Sequence, residues 1–269
     1  MRIISLVSVL VLSSNFAWAS DSSIQEHTYN YNFQSVNIET NPNAGSVVTI
    51  SDSLNLNNVN VSVSGWADSA WLQGGDSGDY DRVIGAHLQE IGSYGWAVRN
   101  SYEAVDSHQT IDNYRYKDYD FILLSFSEEV QLDSLNFGWA NFGNGSQEVS
   151  VAAITDTGFS KLTSENSTWS SIISDAVSSS FSIERLSNNR GVSNLNFSST
   201  AKYWLVGAYN TVFGTTSNGS TFNDAFKIAG LGFSNTTEGE TTTEVSEPGA
   251  LALMSLGLGL VLYRRKRRV

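Results

Sequence analysis

The 269-residue chain has no cysteine, which excludes disulfides, thiolate zinc sites and cysteine nucleophiles. It has only two prolines, Pro42 and Pro248, so long stretches can hydrogen-bond along the backbone without interruption. Charged residues make up 16%, against roughly 25% in ordinary soluble domains. Positive charge is scarcer still within the body. Six of the 15 Lys and Arg lie at the extreme ends (Arg2, Arg264, Arg265, Lys266, Arg267 and Arg268), leaving 9 basic residues against 27 acidic ones between positions 20 and 248, a charge of −18. Such a body repels nucleic acid, which is not expected as a partner, and attracts cations. No GxGxxG, P-loop, HExxH or GxSxG occurs, and the three histidines (His27, His87, His108) stand apart in sequence. Nucleotide cofactors, zinc hydrolysis and a serine elbow are therefore not indicated, and the chain is not expected to be an enzyme. What it does have is 41% hydrophobic and 12% aromatic residues, enough to bury a core.

The ends read as targeting segments. Arg2, the apolar residues 3–12 and the small-x-small triplet Ala17-Trp18-Ala19 before Ser20 make residues 1–19 a secretory signal, handled by the Sec translocon and signal peptidase. Ten helical residues reach only about 15 Å, half the apolar thickness of a bilayer. At the other end, residues 235–247 are a polar spacer rich in Ser, Thr and Glu, and Ser246-Glu247-Pro248-Gly249 closes it. Residues 250–263 (ALALMSLGLGLVLY) carry no charge, and Arg264-Arg265-Lys266-Arg267-Arg268 follows at once. As a helix this run spans about 21 Å, and snorkelling by the basic cluster extends its reach. The cluster holds the cytoplasmic side and leaves the body outside.

The order of short motif, apolar helix and terminal basic cluster resembles the PEP-CTERM sorting segment recognised by exosortases of Gram-negative bacteria. Ser246 stands where that family has its first proline. The resemblance implies that residues 248–269 are a sorting segment and that an exosortase-like enzyme cuts near Glu247 and Pro248. The protein would be anchored briefly in the inner membrane, then reside at the cell surface or outside the cell.

Between the ends, residues 20–234 read as one domain. Runs such as SVVTIS (46–51), NVNVSVS (58–64), YDFILLSF (119–126), VQLDSLNFGW (130–139), VSVAAIT (149–155), KYWLVGAY (202–209) and AFKIAGLGF (225–233) alternate or are continuously apolar between turn-forming residues. That pattern predicts antiparallel strands, with Val59, Val61 and Val63 on one face. The fold expected is all-β, an antiparallel sandwich of jelly-roll type. A modest helix is expected within residues 167–178, a solvated turn at Glu128-Glu129, and core positions for Trp139 and Trp204. The segments His108–Asn113, 120–126, 130–139, 203–210 and 223–228 also resemble strands of exported domains that carry exosortase tails, and this resemblance implies location and fold.

Two ligand chemistries suit the body. The loop GGDSGDYD (74–81) gathers Asp76, Asp79 and Asp81 among glycines, as Ca2+ requires of a bent loop with hard oxygen ligands, although it does not follow the EF-hand spacing. Asp106, Asp112 and Asp224, on loops beside strands, form a second calcium candidate. Trp66, Trp71 and Trp96 lie among Gly and Ser and could stack on sugar rings, with exopolysaccharide as the partner. The reading is a surface or matrix protein of structural or interaction type, alternatively a carbohydrate-binding module stabilised by calcium, and less so a glycan hydrolase.

Overall fold

The computed structural model describes residues 25–32, 48–50, 59–70, 82–100, 109–113, 118–164, 166–217, 219–237 and 264. Glu26–Thr236 forms one compact unit. The other unit joins Met1–Gln25 to Thr237–Val269, and only Gln25, Thr237 and the exposed Arg264 are described within it. The signal residues Ala17, Ala19 and Ser20, the Ser246–Gly249 motif, the apolar run and the basic residues 265–268 lie outside the described residues. Among the described residues no helix is long and apolar enough to cross a membrane.

The body is all-β. Its strands are β1 (Gln25–Asn32), β2 (Val48–Ile50), β3 (Val61–Ala70), β4 (Arg82–Glu90), β5 (Trp96–Arg99), β6 (Ile111–Asp112), β7 (Asp120–Ala140) and β8 (Glu148–Ile154). After α1 (Asp156–Leu162) and α2 (Trp169–Ile172) come β9 (Val177–Ser182), β10 (Glu184–Arg185), β11 (Gly191–Asn194), β12 (Ala201–Ala208) and β13 (Ala225–Thr237). One path of neighbours runs β1-β13-β5-β4-β3-β7-β12-β8-β9, and β13 also pairs with β7. That second pairing returns the path β13-β5-β4-β3-β7 to its start, which makes the sheet barrel-like.

β7 explains how one sheet forms two layers. Its first half pairs with β3 and β12, and its second half with β11 and β13. The change of partners falls at the exposed Ser127, Glu128 and Glu129. A turn between two strands was expected here, yet the 21-residue strand is unbroken. No Gly or Pro stands at Ser127-Glu128-Glu129, so the backbone stays extended there, and the charged side chains take the solvated side of the corner.

Alternation along these strands sorts side chains onto two faces. The inner face collects Val59, Val61 and Val63, as expected, with Ile122, Leu124, Phe126, Val149, Val151, Trp204 and Val206. From the other layer come Leu132, Leu135, Phe137, Phe226, Ile228, Leu231 and Phe233. Each large side chain buried in this way contributes about 1.5–3 kcal/mol. The Trp204 indole N–H donates to the carbonyls of Val130 and Ala201, so the ring is buried with its polar atom satisfied. Trp139, expected in the core, is half-buried instead, and the Lys227 ammonium lies 4.4 Å from its ring centroid. Its neighbours Gly138 and Phe137 are the buried residues there.

The outer face of β3, β7, β12 and β8 carries a second core. Phe121, Leu123, Ala152, Ile154 and Leu205 are covered by Leu162 of α1, Trp169 and Ile172 of α2, and Phe213. The Thr155 hydroxyl caps α1 by accepting from the Gly158 N–H, and Thr168 with Ser171 forms a capping box on α2. Of the helix expected over 167–178 only Trp169–Ile172 forms, because Val177 already enters β9. No helix was expected at α1, whose first turn holds Gly158. Gly207 is required for close approach: a Cβ there would overlap the Phe121 ring and the Asp120 carbonyl. The bare strand lets Phe121 lie across it, stacked on Phe213 at 4.5 Å and against Trp169 at 4.4 Å.

Candidate functional site

At one end of this outer face the helices stop short and leave an open cleft of about 430 Å³. Its floor is built by strand register: Ser62 of β3 sits opposite Ser125 of β7, which sits opposite Tyr203 of β12. Phe159 of α1 stacks on Tyr203, with ring centroids 4.4 Å apart and planes 7° from parallel, so the pair forms one wall. Trp66 of β3 lines the cleft too, and its indole N–H donates to the Ser64 hydroxyl at 2.8 Å, which orients the ring. Asn60, Ser127 and Thr163 complete a polar rim. Among the described residues that line it there is no carboxylate and no cation. Beyond Tyr203 lies a second recess of about 340 Å³, whose lining includes Glu129, Asp156, Asp175 and Lys202.

The opposite ends of these strands carry buried acids. Glu148 and Asp68 have the outward parity of Ala152 and Trp66, Asp120 has the inward parity of Ile122, and Asp112, Asp118 and Asp224 are buried near them. Asp120 accepts from the Asn100 side chain and the Asp112 backbone N–H, and Asp112 accepts from the Thr110 hydroxyl at 2.5 Å. The Asp68 carboxyl takes the Tyr119 N–H at 2.6 Å. Burial first, then the charge of Asp118, pushes its pKa well above the ordinary 3.8. Asn113 is the pin of the cluster. It donates to Asp224 at 2.8 Å and to the Tyr209 carbonyl, and it accepts from the Asp224 N–H at 3.0 Å. Asp224 in turn accepts the Glu148 N–H at 2.6 Å. Burial pushes the Asp224 carboxyl up to about 8, opposed by these donors and reinforced by the neighbouring Glu148. Burial also raises the Tyr119 phenol to about 12, helped by the charges of Asp68 and Asp224.

Of the aromatic residues singled out from the sequence, Trp66 lines the cleft. Trp96 does not serve, because it is 2% exposed and packs in the inner core opposite Ile228, so no saccharide ring can reach it. The surrounding Gly and Ser that suggested a loop instead flank the short strand β5. Trp71 lies outside the described residues, as do Asp76, Asp79, Asp81 and Asp106. Asp112 and Asp224 are brought together, since Asp112 pairs with Ala225 across β6 and β13. The carboxyl that faces Asp224 is nevertheless that of Glu148. Among the described residues no group of three or more His, Asp or Glu is arranged to hold a metal. Sequence reasoning missed Ser125, Phe159, Tyr203, Asp68, Asn113, Tyr119 and Glu148. Strand parity could have found two of them: Tyr203 shares the outward parity of Leu205, and Glu148 that of Ser150.

No protein-family model, curated protein or solved structure matches the chain.

Proposed function

We propose that the chain is an exported surface protein whose body, a flattened two-layered barrel of jelly-roll type, binds neutral saccharide through the cleft of Trp66, Phe159 and Tyr203. The observation that carries this reading is the cleft itself. Aromatic rings stand beside a row of Ser hydroxyls, in a volume within the 300–1,000 Å³ range of small-ligand sites. Sugar rings present apolar C–H faces and equatorial hydroxyls, and a ring wall above a hydroxyl floor matches both. The uncharged lining and the −18 charge of the body favour a neutral polymer over an acidic one. The tail sequence supplies the other half: Ser246, Glu247, Pro248 and Gly249 as a sorting motif for an exosortase-like enzyme, and five terminal basic residues to orient the chain. Exopolysaccharide would then be the partner met on arrival.

Affinity electrophoresis through gels loaded with neutral or uronic-acid polysaccharides tests the cleft. Retardation by at least one neutral polymer, lost in Trp66→Ala and Tyr203→Ala, is expected. Unretarded migration in every gel overturns saccharide binding. Intact mass of the secreted protein tests the tail separately, because a product that keeps residues 248–269 is incompatible with sorting.

A further inference from the structure

We propose that Glu148 and Asp224 form a divalent-cation site of the calcium type among these buried acids. The site is independent of the saccharide cleft and shares no residue with it.

Glu148 and Asp224 are both 0% exposed. Among the described residues no N–H or O–H donor reaches either carboxyl oxygen of Glu148, whose neighbour is the Asp224 carboxyl. Its own backbone N–H grips Asp224, so the two residues are held side by side and their carboxyls face one another. Each oxygen of Asp224 accepts one bond, from the Glu148 N–H or the Asn113 amide, which leaves each a second lone pair. Among the described residues no Lys or Arg pairs with either residue; the ion pair described there is the Lys161–Asp175 contact at 3.9 Å, between α1 and the turn after α2. The neighbouring groups are no help, since Asp68 and the Tyr119 phenol bring further oxygen and no positive charge.

A buried carboxylate with no donor and no counter-ion strongly disfavours the folded state, so something positive belongs between these two. A shared proton would satisfy one oxygen of Glu148 and leave the other bare. A divalent ion engages both oxygens and cancels both charges at once. Oxygen donors with no nitrogen or sulfur among them select hard cations, and a shell completed by backbone carbonyls and water suits the flexible coordination of calcium better than the strict octahedron of magnesium. The reciprocal bonds between Asn113 and Asp224 fix the Asp224 carboxylate in place before any ion arrives, which lowers the cost of binding.

The full chain, stripped with EDTA, is melted at pH 7.5 with and without CaCl2 or MgCl2, and terbium luminescence sensitised by Tyr119 reads occupancy directly. Millimolar calcium is expected to raise the Tm by about 5 °C or more, in line with a ligand that binds only the folded state. Magnesium should do less. Glu148→Gln should abolish both the shift and the terbium signal, while Asp68→Asn keeps them. Should Glu148→Gln fail to fold, Glu148→Asp replaces it, with calcium affinity weakened at least tenfold. A wild-type Tm indifferent to calcium, or a shift that survives in the Glu148 variants, overturns the proposal. A rise in Tm of Glu148→Gln in EDTA beside a calcium-blind wild type would mean that the pair holds a proton.

Discussion

The inner and outer faces of β7, β8 and β12 share one backbone and follow opposite rules. Inside, Ile122, Leu124, Phe126, Val149, Val151, Trp204 and Val206 make a uniform apolar surface. Outside, the same strands change character along their length. Ser125 and Tyr203 belong to the cleft, Phe121, Leu123 and Leu205 to the second core, and Tyr119 and Glu148 to the buried acids. The lesson is a division of labour by parity: every second residue secures the fold, and the residues between them are free to be graded into separate environments.

Substitutions on the two faces should therefore differ in size and even in sign. The largest loss is expected from Trp204→Ala on the inner face, about 3–5 kcal/mol in urea unfolding, because the cavity cannot collapse between two layers. Asn113→Ala at the acidic end should cost about 2–3 kcal/mol by stranding Asp224 and the Tyr209 carbonyl, and limited proteolysis should then cut within residues 210–224. A similar loss from an outer-face ring such as Phe159 would blur the contrast.

Asp68→Asn should act in the other direction. The Asp68 carboxyl has a raised pKa in the folded chain, so folding takes up a proton that the unfolded chain releases near 3.8. Its contribution to stability is complete below about pH 4 and is lost as pH rises through the raised value. An asparagine keeps the acceptor for the Tyr119 N–H and removes the buried charge. A gain of about 1–2 kcal/mol at pH 8, vanishing at pH 4, is expected from denaturant titrations at the two pH values. An equal gain at both would disconnect the effect from protonation. Smallest of all, Trp66→Ala should change stability by less than about 1 kcal/mol while abolishing retention on neutral polysaccharide.

The inner face was the legible part. Runs at 58–64, 119–126, 149–155 and 202–209 located β3, the first half of β7, β8 and β12, because strands buried on one face alternate and strands covered on both faces read as continuously apolar. Short or edge strands were not legible. β5 is four residues long, and β9 reads VSSSFS, too polar to stand out from a loop. The cleft was half legible: Trp66 drew notice as an aromatic among small residues, but its partners Phe159 and Tyr203 come from α1 and β12, and nothing local brings positions 44 apart into a stack. Trp96 misled for a related reason, since glycines beside it signal a turn and say nothing of which way the indole points. The acid cluster was the least visible. Asp112 and Asp224 could be named from their positions near strand ends, yet Glu148 is distinguished only by burial, a property of the assembled molecule.

The unbroken course of β7 has a mechanical corollary. Asp120 and Ser125 lie five positions apart on this one strand, about 17 Å at a strand's rise. No hinge interrupts that strand, so it acts as a beam between the cleft at one end and the buried acids at the other. An ion lodged at the far end would brace the beam without changing the contour of the near one. On the two proposals above, saccharide affinity and the ionic composition of the medium should then vary independently.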